Sequence, residues 1–223
     1  MFIFSNLATS LDGKIATASR ELYALGTAQD RKTMQALRGK CDVVLFGASS
    51  LRAFQRPCIL SGPLVRGLKK QPANAVLSSH LKRISPTWPF FTRGDFHRMI
   101  FVSEKTPSVN LRPFEASCEI ISLPRATDRC STAKQVIHSL AQRGYAKVLI
   151  EGGGTVMWDF VRENLIDEYH VTLTPKLIGG TDAPTLVDGS GFDPKQVLNL
   201  KLKTCRKIGN ELYLTYRKTE RRG

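Results

Sequence analysis

Eight short runs of β-forming residues recur along this 223-residue chain, and helical periodicity fills several of the gaps between them. The runs are FIFSNLA from Phe2, DVVLFGA from Asp42, NAVLSS from Asn74, RMIFVS from Arg98, CEIIS from Cys118, KVLIEGG from Lys147, EYHVTLTP from Glu168 and NELYLTYRK from Asn210. Four to six β-formers with little polar interruption suit strands covered on both faces, as in a parallel sheet. Only the last run alternates. GTAQDRKTMQALRGK from Gly26 reads as a helix with Thr27 as N-cap, Leu37 three places after Met34, and Gly39 closing it. STAKQVIHSLAQRGY from Ser131 has a cap at Ser131 or Thr132, an apolar face of Val136, Ile137, Leu140 and Ala141, and a stop at Gly144. TVMWDFVRENLID from Thr155 places Val156, Phe160, Val161 and Leu165 on a helical period, with Met157 and Trp158 as core packing. The alternation predicts one α/β domain with a mostly parallel, mixed central sheet flanked by helices. Arg56–Pro72 and Ile84–Phe96 read as loops or insertions that cover a site or mediate assembly.

Composition narrows the function classes. Hydrophobic residues make up 42% and charged residues 23%, which is ordinary for a globular chain. No apolar run approaches the roughly 18 residues of a membrane span, and the N-terminus reads as a strand and not as a leader peptide. The five cysteines, Cys41, Cys58, Cys118, Cys130 and Cys205, are odd in number and widely spaced, and the four histidines have no ligand spacing. The expectation is reduced thiols in a cytoplasmic protein with no metal. A net charge of +14 favours anionic partners, either nucleic acid or phosphorylated small molecules. Aromatic–basic interleaving and zinc-finger spacing are both missing from the sequence, so small phosphorylated molecules are the expected class.

The densest chemical signal is EGGGT, Glu151 to Thr155, between a strand and a helix. First-turn N–H groups lack helical partners, and the dipole makes that end positive. Glycines without Cβ let a phosphate approach such a backbone. Gly152, Gly153 and Gly154 therefore suit a pyrophosphate, with Thr155 adding a hydroxyl, although the spacing is not the Gly-x-Gly-x-x-Gly fingerprint. The bland alternative is a tight strand-to-helix turn. GASS, Gly47 to Ser50, offers a similar edge, and LIGGTDAP from Leu177 either walls the same cleft or only turns the chain.

With these edges, NLATSLDGKIA at Asn6 to Ala16, DRKTMQALR at Asp30 to Arg38 and DEYHVTLTPKLIGG at Asp167 to Gly180, the chain resembles the riboflavin-pathway reductase family. That family comprises the reductase half of a bacterial bifunctional deaminase-reductase and stand-alone archaeal and fungal relatives. The resemblance implies a dihydrofolate-reductase-like fold over 1–218 followed by a basic tail at 219–223. It also implies NADPH as cofactor, a homodimer, and reduction of a ribosylamino-pyrimidine 5′-phosphate to its ribitylamino form. Carried over by motif, Glu151 and Asp30 are the candidate catalytic groups, and Asn6, Arg38 and Glu151 face the substrate. Ala8, Thr27, Gly47, Ser50, Ser78, Gly153, Gly154, Thr155 and Val156 face the cofactor, with Lys82 or Arg83 near its 2′-phosphate. Asn6 with Asp30 matches the archaeal and fungal branch. The same residues have plainer readings: Asp12 and Gly13 as a turn, Arg38 as a helix-end cation, Asp30 as a first-turn acid.

Departures from the family pattern fall on the substrate side. Gln55 stands where an acid is usual, Gly62 near an expected Arg with Arg66 close by, and the aromatic expected after the first turn is absent unless Tyr23 serves. No His-x-Glu or Pro-Cys-x-x-Cys of a deaminase module occurs. Two further readings follow: a reductase of another, pterin-like heterocycle, and a non-catalytic module that binds anions or nucleic acid.

Overall fold

A computed structural model describes residues 1–21, 23–62, 71–127 and 130–219. Its strands are β1 (Phe2–Thr9), β2 (Val43–Gly47), β3 (Ala73–Leu77), β4 (Arg98–Ser103), β5 (Glu119–Leu123), β6 (Lys147–Ile150), β7 (Glu168–Leu173), β8 (Leu200–Ile208) and β9 (Glu211–Lys218). The helices are α1 (Ala28–Arg38), α2 (Ala48–Phe54), α3 (Pro89–Thr92), α4 (Arg112–Glu115), α5 (Thr132–Gln142) and α6 (Gly154–Val161). The chain divides into two compact units: Gln35–Leu149 with Met1, and Phe2–Met34 with Ile150–Gly223. Among the described residues no helix is long and apolar enough to cross a membrane.

In the first unit the strand order is β5-β4-β3-β2-β6. β2 pairs with β3, β3 with β4, and β4 with β5, all in parallel. The apolar runs are buried as two-sided coverage requires: Val43, Val44, Leu45, Phe46, Ala75, Val76, Met99, Ile100 and Phe101 are all sealed from solvent. Polar groups secure the strand starts. The Asp42 carboxylate accepts from the Ala146 and Lys147 N–H groups, both at 2.8 Å. Ser131 caps α5 by accepting from the Lys134 N–H at 3.4 Å. The buried stripe of α5 is Ala133, Val136 and Leu140 with Ser139, a phase that leaves Ala141 exposed instead of on the expected apolar face.

In the second unit the order is β1-β7-β9-β8. β1 and β7 run parallel, with Asn6 opposite His170 and Ala8 opposite Thr172. β7–β9 and β9–β8 are antiparallel. All eight expected runs become strands. β8, LKLKTCRKI, was not among them: it is an edge strand with all nine residues exposed, four of them cationic, and no buried run marks it. GASS, the second glycine-containing edge, lies where β2 passes into the first turn of α2, with Gly47 as the N-cap. α6 begins at Gly154 and stops at Val161, so Leu165 lies beyond it.

Asn74 ties the first unit's β3 to the segment around Cys58. It is sealed from solvent, its Oδ1 accepts from the Cys58 N–H at 2.7 Å, and its Nδ2 donates to the Cys58 and Pro72 carbonyls at 3.1 and 3.2 Å. Asn74→Ala removes three bonds to buried backbone and is expected to cost about 2–4 kcal/mol in urea unfolding, with an unchanged m-value.

Candidate active site

In the second unit the alternation of strand side chains separates two chemistries. Ser5, Leu7 and Thr9 on β1, Tyr169, Val171 and Leu173 on β7, and Leu214 and Tyr216 on β9 share one face. With Met157, Trp158 and Val161 of α6 and the segment around Phe192, they line an apolar cavity of about 650 Å³. The Trp158 and Phe192 rings pack tilted with centres 4.9 Å apart, a Cβ at Gly189 would strike the Trp158 ring, and Met157 is buried, so Met157 and Trp158 are packing residues as expected. The opposite face presents Asn6 and Ala8 of β1, His170 and Thr172 of β7, and Tyr213 and Thr215 of β9. The predicted β1 residues therefore lie on the face away from the apolar cavity. Asn6 is buried, and its Oδ1 has no hydrogen-bond partner within the protein. A buried, unmatched acceptor of this kind costs free energy unless a further group meets it.

The start of α1 is held against this polar face. The Glu211 carboxylate, 2% exposed at the head of β9, accepts from the Thr27 N–H at 2.8 Å and the Thr27 hydroxyl at 2.7 Å. It also accepts a short hydrogen bond from the Tyr213 hydroxyl. Thr27 Oγ1 in turn accepts from the Gln29 N–H at 3.2 Å, the capping role expected for it. One turn later Asp30 meets the Thr172 hydroxyl of β7. Gly26 is required here, because a Cβ at that position would lie 2.2 Å from Asp30 Oδ2. Burial pushes the Asp30 carboxyl above its usual range. The Thr172 hydrogen bond and Arg31 oppose that rise, and the Glu211 and Glu151 charges add to it. Glu211 itself is raised by burial, but its bonds from Tyr213 and Thr27, with Lys176 nearby, leave it net lowered and charged. Burial and the Glu211 carboxylate push the Tyr213 phenol up to about 12.

The turn after β6 uses its three glycines differently. Glu151 is half-buried at the strand end. Gly152 has φ +89°, and a Cβ there would crowd Leu7 at 3.1 Å. Gly153, the N-cap of α6, receives no side-chain cap, and its Cβ position is open space. Gly154 is bare for the protein's own sake: a Cβ would meet the Asp188 carboxylate at 2.4 Å and the Thr185 carbonyl at 2.5 Å. Asp188 is fixed there, donating its N–H to the Gly154 carbonyl at 3.0 Å and accepting from the Thr185 N–H and hydroxyl at 2.9 and 2.7 Å. Thr155 is exposed and Val156 is buried in the first turn of α6. The LIGG segment is pinned as a turn, with Asp12 accepting from the Ile178 and Gly179 N–H groups at 3.1 and 2.6 Å.

The remaining predicted residues, Tyr23 apart, belong to the first unit. Gly47 and Ser50 open α2 at the end of β2. The Ser78 hydroxyl, after β3, donates to the His80 carbonyl within its own turn. Arg52 donates to the Lys82 carbonyl at 3.1 Å and the His80 carbonyl at 3.4 Å, which organises the turn carrying Lys82 and Arg83. Arg38 is buried and donates to the Ile59 carbonyl at 3.3 Å. Gln55 adopts a left-handed backbone at the end of α2, and its carbonyl accepts from the Phe90 N–H at 3.1 Å. Tyr23 is exposed, with the Lys176 ammonium 4.8 Å from its ring centre. Arg66 lies outside the described residues. Sequence reasoning passed over Glu211, Tyr213 and Thr172, since nothing local marks a partner 184 residues from Thr27.

Comparison with known proteins bears on this arrangement. A reductase of Archaeoglobus fulgidus, "2,5-diamino-6-ribosylamino-4(3H)-pyrimidinone 5′-phosphate reductase", is 25% identical over 222 residues, covering 97% of each chain. The structure of a pyrimidine reductase-like protein from Corynebacterium diphtheriae superposes with a TM-score of 0.81 at 20% identity, covering 98% of this chain and 92% of that one. Dihydrofolate reductase from Enterococcus faecalis shares the fold, with a TM-score of 0.54 at 12% identity, covering 98% of this chain and 97% of that one. The family model for the RibD C-terminal domain matches residues 1–214, from β1 into the first half of β9, and the chain belongs to that family.

Proposed function

We propose that the protein is an NADPH-dependent oxidoreductase of riboflavin biosynthesis. In this reading it reduces a ribosylamino-pyrimidine 5′-phosphate of the kind named for the archaeal relative to the ribitylamino product. The observation that carries the chemistry is Asp30, a carboxyl held toward its neutral form close enough to Glu151 to feel its charge. Opening the sugar of such a substrate yields an imine, and its reduction needs a proton at nitrogen. Asp30 supplies that proton in this reading and recovers it from water, while Glu151 binds polar ring or sugar groups.

Two features fit a bound dinucleotide and its substrate: the open Cβ position at Gly153 on the first turn of α6, and the unmatched buried Oδ1 of Asn6. Gly153, Gly154, Thr155 and Val156 would hold the diphosphate through backbone N–H groups, and Asn6 and Ala8 would line the reacting face. The cofactor roles of Thr27, Gly47, Ser50 and Ser78, and the phosphate role of Arg38, rest on the family resemblance. When bound, the reduced nicotinamide supplies the hydride. A homodimer completes the reading. The exposed β8 edge, with Leu200 and Leu202 open to solvent, is consistent with it, and a solution mass of about twice 24.8 kDa is expected from light scattering.

The direct test is loss of NADPH absorbance with the pyrimidine phosphate, alongside calorimetry with NADPH alone. Failure of both overturns the reading; oxidation with a dihydropterin but not with the pyrimidine reassigns the substrate. Glu151→Gln is expected to lower turnover by at least about tenfold while shifting NADPH affinity by less than about twofold; equal losses would place Glu151 in the cofactor site or the fold.

The pH dependence has a definite sign. Asp30 acts when protonated, so kcat/KM falls as pH rises through its raised pKa. Because the folded state binds this proton more tightly than the unfolded chain, the associated stability is present below the unfolded value and lost as pH rises through the folded one. Asp30→Asn should therefore be nearly inactive yet gain in Tm relative to wild type as pH rises above the unfolded carboxyl value through the raised folded one, read by thermal unfolding.

A further inference from the structure

We propose that Glu211 is a positioning residue for the reaction, clamping the start of α1 so that the Asp30 carboxyl is presented on the polar face with a fixed negative charge behind it. The inference rests on the assignment of Asp30 as proton donor. The geometry that carries it is a closed set of contacts. Glu211 holds both the N–H and the hydroxyl of Thr27, three residues before Asp30, and Tyr213 donates to the same carboxylate from two residues along β9. Tyr213 lies opposite Thr172 in the β7–β9 register, and Thr172 is the hydroxyl that Asp30 meets. Asp30 is thus reached through two routes from one β9 segment: Glu211 to the helix start, and Tyr213 beside the Thr172 contact. On the other side the Asp30 carboxyl packs into the space that a Cβ at Gly26 would fill.

A structural clamp alone has no need of a buried carboxylate. A threonine cap would already satisfy the first-turn donors, and burying Glu211 to 2% exposure costs free energy that a neutral residue would avoid. What the carboxylate adds is charge. The charged or titratable groups around Asp30 are Arg31 on its own helix, Glu151 after β6, and Glu211 and Tyr213 on β9. Lys176, after β7, acts on Glu211 while its ammonium donates to the Ala24 and Leu25 carbonyls at 3.1 and 2.6 Å. Glu211, with three donors on it, is held as the anion, and its charge adds to the burial that raises the Asp30 carboxyl.

The test is a carboxyl 13C NMR titration of Asp30 in the protein without added ligand, assigned with Asp30→Asn, in wild type and in Glu211→Gln. Glutamine keeps one acceptor oxygen for the Thr27 N–H but removes the charge. The Asp30 midpoint is expected to fall by about half a pH unit or more, and the alkaline limb of kcat/KM to move with it while NADPH affinity stays within about twofold. Should Glu211→Gln fail to fold, Lys176→Met decides: it leaves Glu211 in place, exposes its charge to Asp30, and must raise the midpoint. An unchanged midpoint in whichever variant folds overturns the proposal. A wild type that reduces no pyrimidine but whose Asp30 midpoint moves as stated overturns the reductase reading and upholds the clamp.

Discussion

The parallel pairing of β1 with β7 decides which side chains can meet. Side chains alternate across a strand, so a slip of one residue would exchange the two faces wholesale. In the observed register Asn6 and Ala8 lie opposite His170 and Thr172, and Ser5, Leu7 and Thr9 lie opposite Tyr169, Val171 and Leu173. One face is thereby committed to a polar cluster and the other to an apolar cavity under α6. The β9 strand extends the same division, with Tyr213 and Thr215 on the polar side and Leu214 and Tyr216 on the apolar side.

On that polar face the electrostatics are differential. Glu211 and Asp30 are both carboxylic acids close to one β9 segment, yet their proton affinities move in opposite directions. The difference lies in donors: Glu211 receives three hydrogen bonds, whereas Asp30 has only the Thr172 hydroxyl and the Arg31 charge to set against desolvation and two anionic neighbours. Environments that push like groups apart are how one site holds both an acid and a fixed charge at neutral pH. Membership of the RibD C-terminal domain family supplies the chemical context in which such an acid is useful.

The Gly-Gly-Gly turn shows how a motif can be located correctly and explained only in part. Bareness there was expected for the sake of a phosphate. Gly153 keeps an open approach to the first turn of α6, but Gly154 is bare because Asp188 and the Thr185 carbonyl occupy its Cβ position, and Gly152 because its φ is positive. Three adjacent glycines thus answer three separate constraints: one of backbone conformation, one of access and one of packing.

Local pattern was enough for the strands and helices whose periodicity buries one side, because burial writes itself into composition. The runs from Val43 to Phe46 and from Met99 to Phe101 needed no context, and Thr27, Asp30, Glu151 and the glycines stood out as motif residues. β8 escaped because an edge strand exposed on both faces carries lysines where a core strand carries valines. Glu211, Tyr213 and Thr172 escaped for a different reason: their importance consists of contacts with Thr27 and Asp30, far away along the chain. Sequence alone determined the class of fold, eight of its strands and the motif residues at their ends, since propensity and burial are local properties. Only the tertiary structure decided that the Asp30 and Glu211 carboxyls move in opposite directions, since that depends on donors and charges brought together by strand register.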